Sequence, residues 1–246
     1  MKADPQAQRR LLDLAALDAE LARAEHRRRT MPEQVEVEGS ERAVRERRDA
    51  VVVIDTVLSD LDRDVAKLDR EVEQVRTREN RDQALLDSGS VSAKQMTDLT
   101  HEMETLARRR GVLEDSQLEL MERQEAAQTH LVHEKGLLDE AQNGLADAVE
   151  RRDGVLDDIG VLEARRGAER ATVLGELPAD LVALYEKVRA RSGAGAGELV
   201  GARCGACRLE MDRSELGRVQ ASAPDEVVRC DECGAILVRT GRQAGA

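Results

Sequence analysis

The sequence predicts a mainly α protein: a long antiparallel coiled-coil hairpin with a kinked N-terminal helix, carrying a small C-terminal β zinc ribbon. Three observations point there. The 246 residues include no Phe, no Trp and one Tyr, so the side chains that usually fill a large globular core are missing. Apolar residues recur at alternating steps of three and four, the spacing that keeps one seam of a supercoil apolar. All four cysteines stand in the last fifth of the chain as two C-x2-C pairs.

The first helix is expected over residues 5 to 29. Asp4 supplies an N-cap acceptor and Pro5 fits the first helical position, where its missing N–H leaves no bond unmade. Leu14, Leu17, Leu21 and Ala24 mark its apolar face. A kink is expected at 30–33, because Pro32 disfavours helical geometry in Met31, and Thr30 with Glu33 has the spacing of a capping box. A second helix then shows a heptad alternation through Val51, Ile54, Leu58, Leu61, Val65, Leu68, Val72 and Val75.

That pattern stops at Leu86, and Asp87-Ser88-Gly89-Ser90 favours a turn, which puts the hairpin tip at 87–94. Ser92 and Gln95 form a second capping box with Val91 and Met96 placed as a hydrophobic staple, so the third helix starts near Ala93. Its seam runs from Met96 to Leu162 and is interrupted by Arg110, Gln117, Gln124, Glu134 and Arg152. A short turn between long helices implies antiparallel neighbours, and equal rise makes facing residues sum to roughly 180. The first helix is expected to cover the end of the third, giving a rod of about 110 Å at 1.5 Å per residue.

Gly175 and Pro178 end the hairpin, assigned to residues 1–175. Residues 176–197 are expected to form a short helix, with Leu181, Leu184, Tyr185 and Val188 on one face, and a glycine-rich flexible linker. The ribbon is assigned to 198–246, with β-favouring runs at 198–202, 226–228 and 235–239.

Cys204 and Cys207, then Cys230 and Cys233, are spaced so that each pair converges on one ion and the two pairs complete a tetrahedral thiolate site. One structural Zn2+ is therefore expected, with no open position for water. Gly205 and Gly234 are read as the residues of these turns that take positive φ. A redox dithiol would need a βαβ context that the chain does not supply. His130 and His133 flank a seam leucine and are read as solvated surface residues.

A net charge of −12 opposes general binding to nucleic acid or anionic membranes and leaves only local patches for it. Arg27, Arg28 and Arg29 are expected near Arg151 and Arg152, and Arg203, Arg208, Arg213 and Arg218 can share a face of the ribbon. Tyr185 is the one side chain able to stack on a base. From Glu198 onward seven Arg face eight Asp plus Glu, so the ribbon is not electropositive and nucleic acid ranks behind protein as a partner. No run of about 18 apolar residues spans a membrane and no apolar signal core opens the chain, which predicts a cytoplasmic protein. No catalytic constellation can be picked out, so neither an enzyme nor a small-molecule substrate is expected.

The hairpin, Leu184-Tyr185-Glu186-Lys187-Val188-Arg189, Arg203-Cys204-Gly205-Ala206-Cys207 and Arg229-Cys230-Asp231-Glu232-Cys233-Gly234-Ala235-Ile236-Leu237-Val238 together resemble the bacterial family of C4-type zinc-ribbon coiled-coil proteins. The resemblance spans most of the chain and implies the four cysteines as zinc ligands. It also implies an adaptor or regulatory protein; some branches are tied to flagellar or type III secretion regulation and to nucleic acid. The chain departs from the family near the tip, where Glu79-Asn80-Arg81-Asp82 replaces an Asn-Glu-Tyr-type motif.

Overall fold

A computed structural model describes residues 1–241; the last five residues assigned to the ribbon, 242–246, lie outside it. The helices are α1 (Pro5–Arg29), α2 (Pro32–Asp87), α3 (Ala93–Glu176), α4 (Ala179–Ser192) and α5 (Arg213–Ala221). The strands are β1 (Ala196–Val200), β2 (Arg203–Cys204), β3 (Val228–Arg229) and β4 (Ile236–Val238). The chain forms two compact units, Glu33–Glu150 and the combination of Met1–Pro32 with the segment from Arg151 onward.

In the unit Glu33–Glu150, α2 and α3 lie antiparallel. Arg109 meets Glu71 and Arg76 meets Glu114, pairs whose numbers sum to 180 and 190, so the facing register read from the sequence holds within a few turns. Val51, Ile54, Leu58 and Leu131 form the apolar heart of the seam. Past Val72 and Val75 the buried positions become Glu79 and Asp82, so the heptad spacing continues with polar residues. Four of the five interruptions in α3 find polar partners on α2: Arg110 with Glu79 at 2.6 Å, Gln117 with Asp69, Gln124 with Asp62, and Glu134 with Arg47 at 3.1 Å. Polar seam positions cost stability and select one register, because any slip leaves them facing apolar neighbours.

At the tip, the capping box closes as predicted. Gln95 N–H donates to the Ser92 hydroxyl at 3.3 Å and Ser92 N–H donates to the Gln95 side-chain oxygen at 2.9 Å. Met96, the staple partner expected for Val91, is half exposed.

In the second unit, α1 packs on the last turns of α3. Arg28 pairs with Glu163, Arg166 with Glu20 and Arg10 with Glu176, which shows that the first helix covers the end of the third. Asp4 caps α1 by accepting from the N–H groups of Gln6 and Ala7. At the kink the Thr30 hydroxyl donates back to the His26 carbonyl at 2.9 Å and closes α1, while Pro32 opens α2.

The glycine-rich run does not behave as a free linker. Gly193 ends α4 at φ 82°, and Gly195, Ala196 and Gly197 are buried as the chain enters β1. A Cβ on Gly195 would sit 2.5 Å from the Tyr185 ring, so the glycine is there to let backbone lie against an aromatic face. The sheet order is β2-β1-β4-β3, with β1 and β4 parallel and the outer pairs antiparallel. Residues 1–3 bond to the segment that leads into β3: Ala3 N–H donates to Asp225 O at 2.8 Å and Val227 N–H donates to Met1 O at 3.1 Å. Leu11, Leu14, Val173, Leu177, Leu181, Tyr185, Ala196, Ile236 and Val238 form one core shared by α1, α3, α4 and the sheet.

Candidate metal centre

Each cysteine pair sits on a turn of the same design. The Arg208 N–H donates to Cys204 O at 2.7 Å, and the Gly234 N–H donates to Cys230 O at 2.9 Å. One residue further on, the carbonyls of Leu209 and Ala235 accept from Cys204 N–H at 3.1 Å and Cys230 N–H at 3.0 Å. The two turns are thus equivalent, and the residue after each second cysteine takes positive φ: Arg208 at 65° and Gly234 at 74°. The expectation for Gly234 holds and that for Gly205 does not, since Gly205 is the equivalent of Asp231. Gly205 is required for another reason. Its N–H donates to Glu198 O at 2.8 Å, and a Cβ there would lie 2.7 Å from that same oxygen.

The four sulfurs lie within 4.8 Å of one another, the one group of three or more potential metal-ligating side chains gathered this closely among the described residues. Cys204 and Cys233 are 3.9 Å apart at Sγ, and Cys207 and Cys230 are 4.0 Å apart. A tetrahedron with metal–sulfur bonds of about 2.3 Å has edges of about 3.8 Å, so the donor set fits zinc. A disulfide needs sulfurs at about 2.05 Å, which rejects that alternative. Four thiolates fill the coordination sphere of a structural Zn2+ and leave no site for a reactive water.

Protonation follows the surroundings. Burial pushes the Cys204 thiol up to about 12 and also raises Cys233, whereas the Leu209 N–H pulls Cys207 down. Buried thiols resist ionising by themselves; a dication supplies the missing countercharge, so ionisation and metal binding are one event.

Two supports escaped the sequence reading. Helix α5 lies in the spacer between the pairs, started by Asp212, which accepts from Ser214 N–H at 2.7 Å and Glu215 N–H at 2.8 Å. Its buried Glu215 accepts from Asp231 N–H at 2.9 Å and so holds the second turn. The signal was present: Asp212 and Glu215 have capping-box spacing, followed by Leu216 and Val219. Arg239 donates to the carbonyls of Val219, Ser222, Ala223 and Glu226, tying down the end of α5.

The arginines expected as phosphate contacts differ in their surroundings. Arg203 pairs with Glu210 and Arg218 with Asp231, while Arg208 and Arg213 are exposed. Arg28 pairs with Glu163 and Arg152 with Asp153; Arg27 is half-buried, and Arg29 and Arg151 are exposed. Glu163 is some three turns of α3 past Arg151, about 18 Å at 1.5 Å per residue. Tyr185 is fully buried with its hydroxyl on Asp18 and cannot stack on a base. His130 and His133 are exposed, and His130 lies 3.7 Å from Glu134.

Comparison with known proteins agrees with this geometry. Residues 14–193 match the CT398-like coiled coil hairpin domain, and residues 203–237 match the C4-type zinc ribbon domain. An uncharacterized protein of Mycobacterium tuberculosis is 41% identical over 239 residues, covering 97% of this chain and 98% of the relative. A solved structure from Mycobacterium smegmatis superposes with TM-score 0.88 at 44% identity, over 98% of this chain and 100% of that one. CT398 from Chlamydia trachomatis shares the fold at TM-score 0.68 and 17% identity, over 96% and 98%.

Proposed function

This chain belongs to the CT398-like coiled coil hairpin family, closed by a C4-type zinc ribbon, and on that premise we propose that it is a non-enzymatic adaptor or regulatory protein whose hairpin binds other proteins. In this reading residues 1–175 meet partners, the short helix and glycine-rich run of 176–197 connect, and 198–246 form the ribbon. Cys204, Cys207, Cys230 and Cys233 hold the zinc, which keeps a surface in shape and performs no reaction.

The observation that carries the proposal is on α2. Val53 and Val57, one turn apart on the outside of the hairpin, are 62% and 47% exposed, and Val52 beside them is 58% exposed. Isolated exposed valines need no explanation, but three within six residues on a helix already paired with α3 supply an apolar contact for a partner helix. Four thiolate ligands call for a reducing compartment, and on that ground the cytoplasm is the proposed location.

Affinity capture with the full chain and with Val53→Glu/Val57→Glu tests the reading. A protein retained by the wild type and lost by the variant supports it. Retention of nucleic acid in place of any protein, equal for both chains, rejects it.

A further inference from the structure

The wall between the metal centre and the helical base is one strand thick. On β4, Ile236 and Val238 pack into the core with Leu11, Leu14, Leu181 and Tyr185, while Leu237 between them packs with Cys204, Cys230 and Val219. On β1, Ala196 belongs to the helical core and Leu199 to the metal side. Alternation of side chains along a strand makes each strand serve both cores, so neither face can shift without the other.

A second feature lies at the same wall and is unexplained by packing. Two guanidiniums converge on Gly234, the residue that follows the ligand Cys233. A Cβ on Gly234 would sit 2.9 Å from an Arg229 nitrogen and 3.2 Å from an Arg191 nitrogen. Arg229 is held there by donating through Nε to Gly234 O at 2.9 Å, and Arg191 arrives from the last turn of α4. Neither has a carboxylate partner among the described residues, and like charges this close repel. Four thiolates around one zinc carry a net charge of about −2, which is the countercharge the pair lacks.

We propose that Arg191 and Arg229 are positioning residues that latch α4 to the zinc–thiolate cluster, so that metal occupancy of the ribbon controls the docking of α4 and α1 at the hairpin base. With the cluster charged, the two cations are neutralised and α4 is drawn onto the sheet. Without it, the pair repels and the β1–β4 wall loses its support on the metal side. The apolar face of Leu11, Leu14, Leu181 and Tyr185 then opens, while the seam around Val51, Ile54 and Leu131 in the other unit stays closed.

Hydrogen exchange of the full chain, zinc-loaded against reduced and chelated, tests the coupling. Amides of α4 and the first three turns of α1 are expected to exchange roughly tenfold faster after chelation, with residues 51–58 and 127–138 unchanged. Exchange that rises only within 203–238 overturns the proposal. The latch is tested by zinc transfer to a chromogenic chelator: Arg191→Gln/Arg229→Gln should release zinc about tenfold faster, and Arg191→Lys/Arg229→Lys should restore slow release. Wild-type release from the glutamine variant, or equally fast release from the lysine variant, removes charge as the cause.

Discussion

The Tyr185 hydroxyl donates to Asp18 Oδ2 across 2.7 Å, with the tyrosine fully buried and the aspartate 5% exposed. Arg170 and Arg189 reach the same carboxylate at 2.7 and 3.1 Å, so one buried anion on α1 ties together α3 and α4. Replacing Tyr185 by Phe removes one neutral hydrogen bond and should cost about 1 kcal/mol, because both arginines still satisfy Asp18. Asp18→Ala removes the buried anion between Arg170 and Arg189, leaves them only the partly exposed Glu186 to share, and should cost about 3 kcal/mol. Urea unfolding of both variants distinguishes a carboxylate that organises the base from one that merely occupies it.

Burial, and then the bond to Asp18, holds the Tyr185 phenol far above its ordinary value. The raised folded-state pKa means that this stabilisation is complete below about pH 10 and is lost as alkali ionises the phenol of the unfolded chain. Tyr185 is the one tyrosine, so tyrosinate absorbance reports it alone. Its appearance should coincide with loss of the helical base, well above pH 10. A tyrosinate that forms near pH 10 in fully folded protein would contradict the burial.

Removing the metal should unfold the ribbon. Purified protein is expected to hold one zinc per chain, and Cys204→Ser to hold less, since a thiolate is replaced by a poor ligand. Metal analysis checks the zinc content of both chains. Chelator-induced loss of circular dichroism checks the unfolding of the ribbon, and should be small because α2 and α3 dominate the signal.

Two glycines of the ribbon should respond oppositely to alanine. At Gly205 the new Cβ meets the Glu198 carbonyl, backbone that cannot move aside, and a loss of about 2 kcal/mol is expected. At Gly217, inside α5, nothing lies within 4 Å, and helix propensity should add about 0.5–1 kcal/mol. Thermal unfolding of the two zinc-loaded variants decides it.

Glu79 and Arg110 meet in the distal seam at 2.6 Å, with the carboxylate side chain 9% exposed. Glu79→Leu alone strands part of the Arg110 charge and should destabilise by about 1 kcal/mol. Adding Arg110→Leu should restore or exceed wild-type stability while broadening the distances between spin labels across the hairpin, because the polar lock on register is gone.

The sequence by itself determined the helices α1 to α4, the turn and the ligands, because each depends on neighbours a few residues apart. Heptad spacing placed α2 and α3, the box of Ser92 and Gln95 placed the start of α3, and two C-x2-C pairs placed the zinc. Tertiary structure decided what depends on distant segments meeting. Arg208 takes the left-handed turn because the Cys204 and Leu209 backbones demand it, whatever residue stands there. The glycine-rich run became a buried strand because the Tyr185 ring and β4 cover it, and Tyr185 became a core residue because Asp18, 167 positions away, accepts its hydroxyl. Composition alone describes those segments as flexible or exposed; the free energy of burying them against partners remote in sequence is what overrides it.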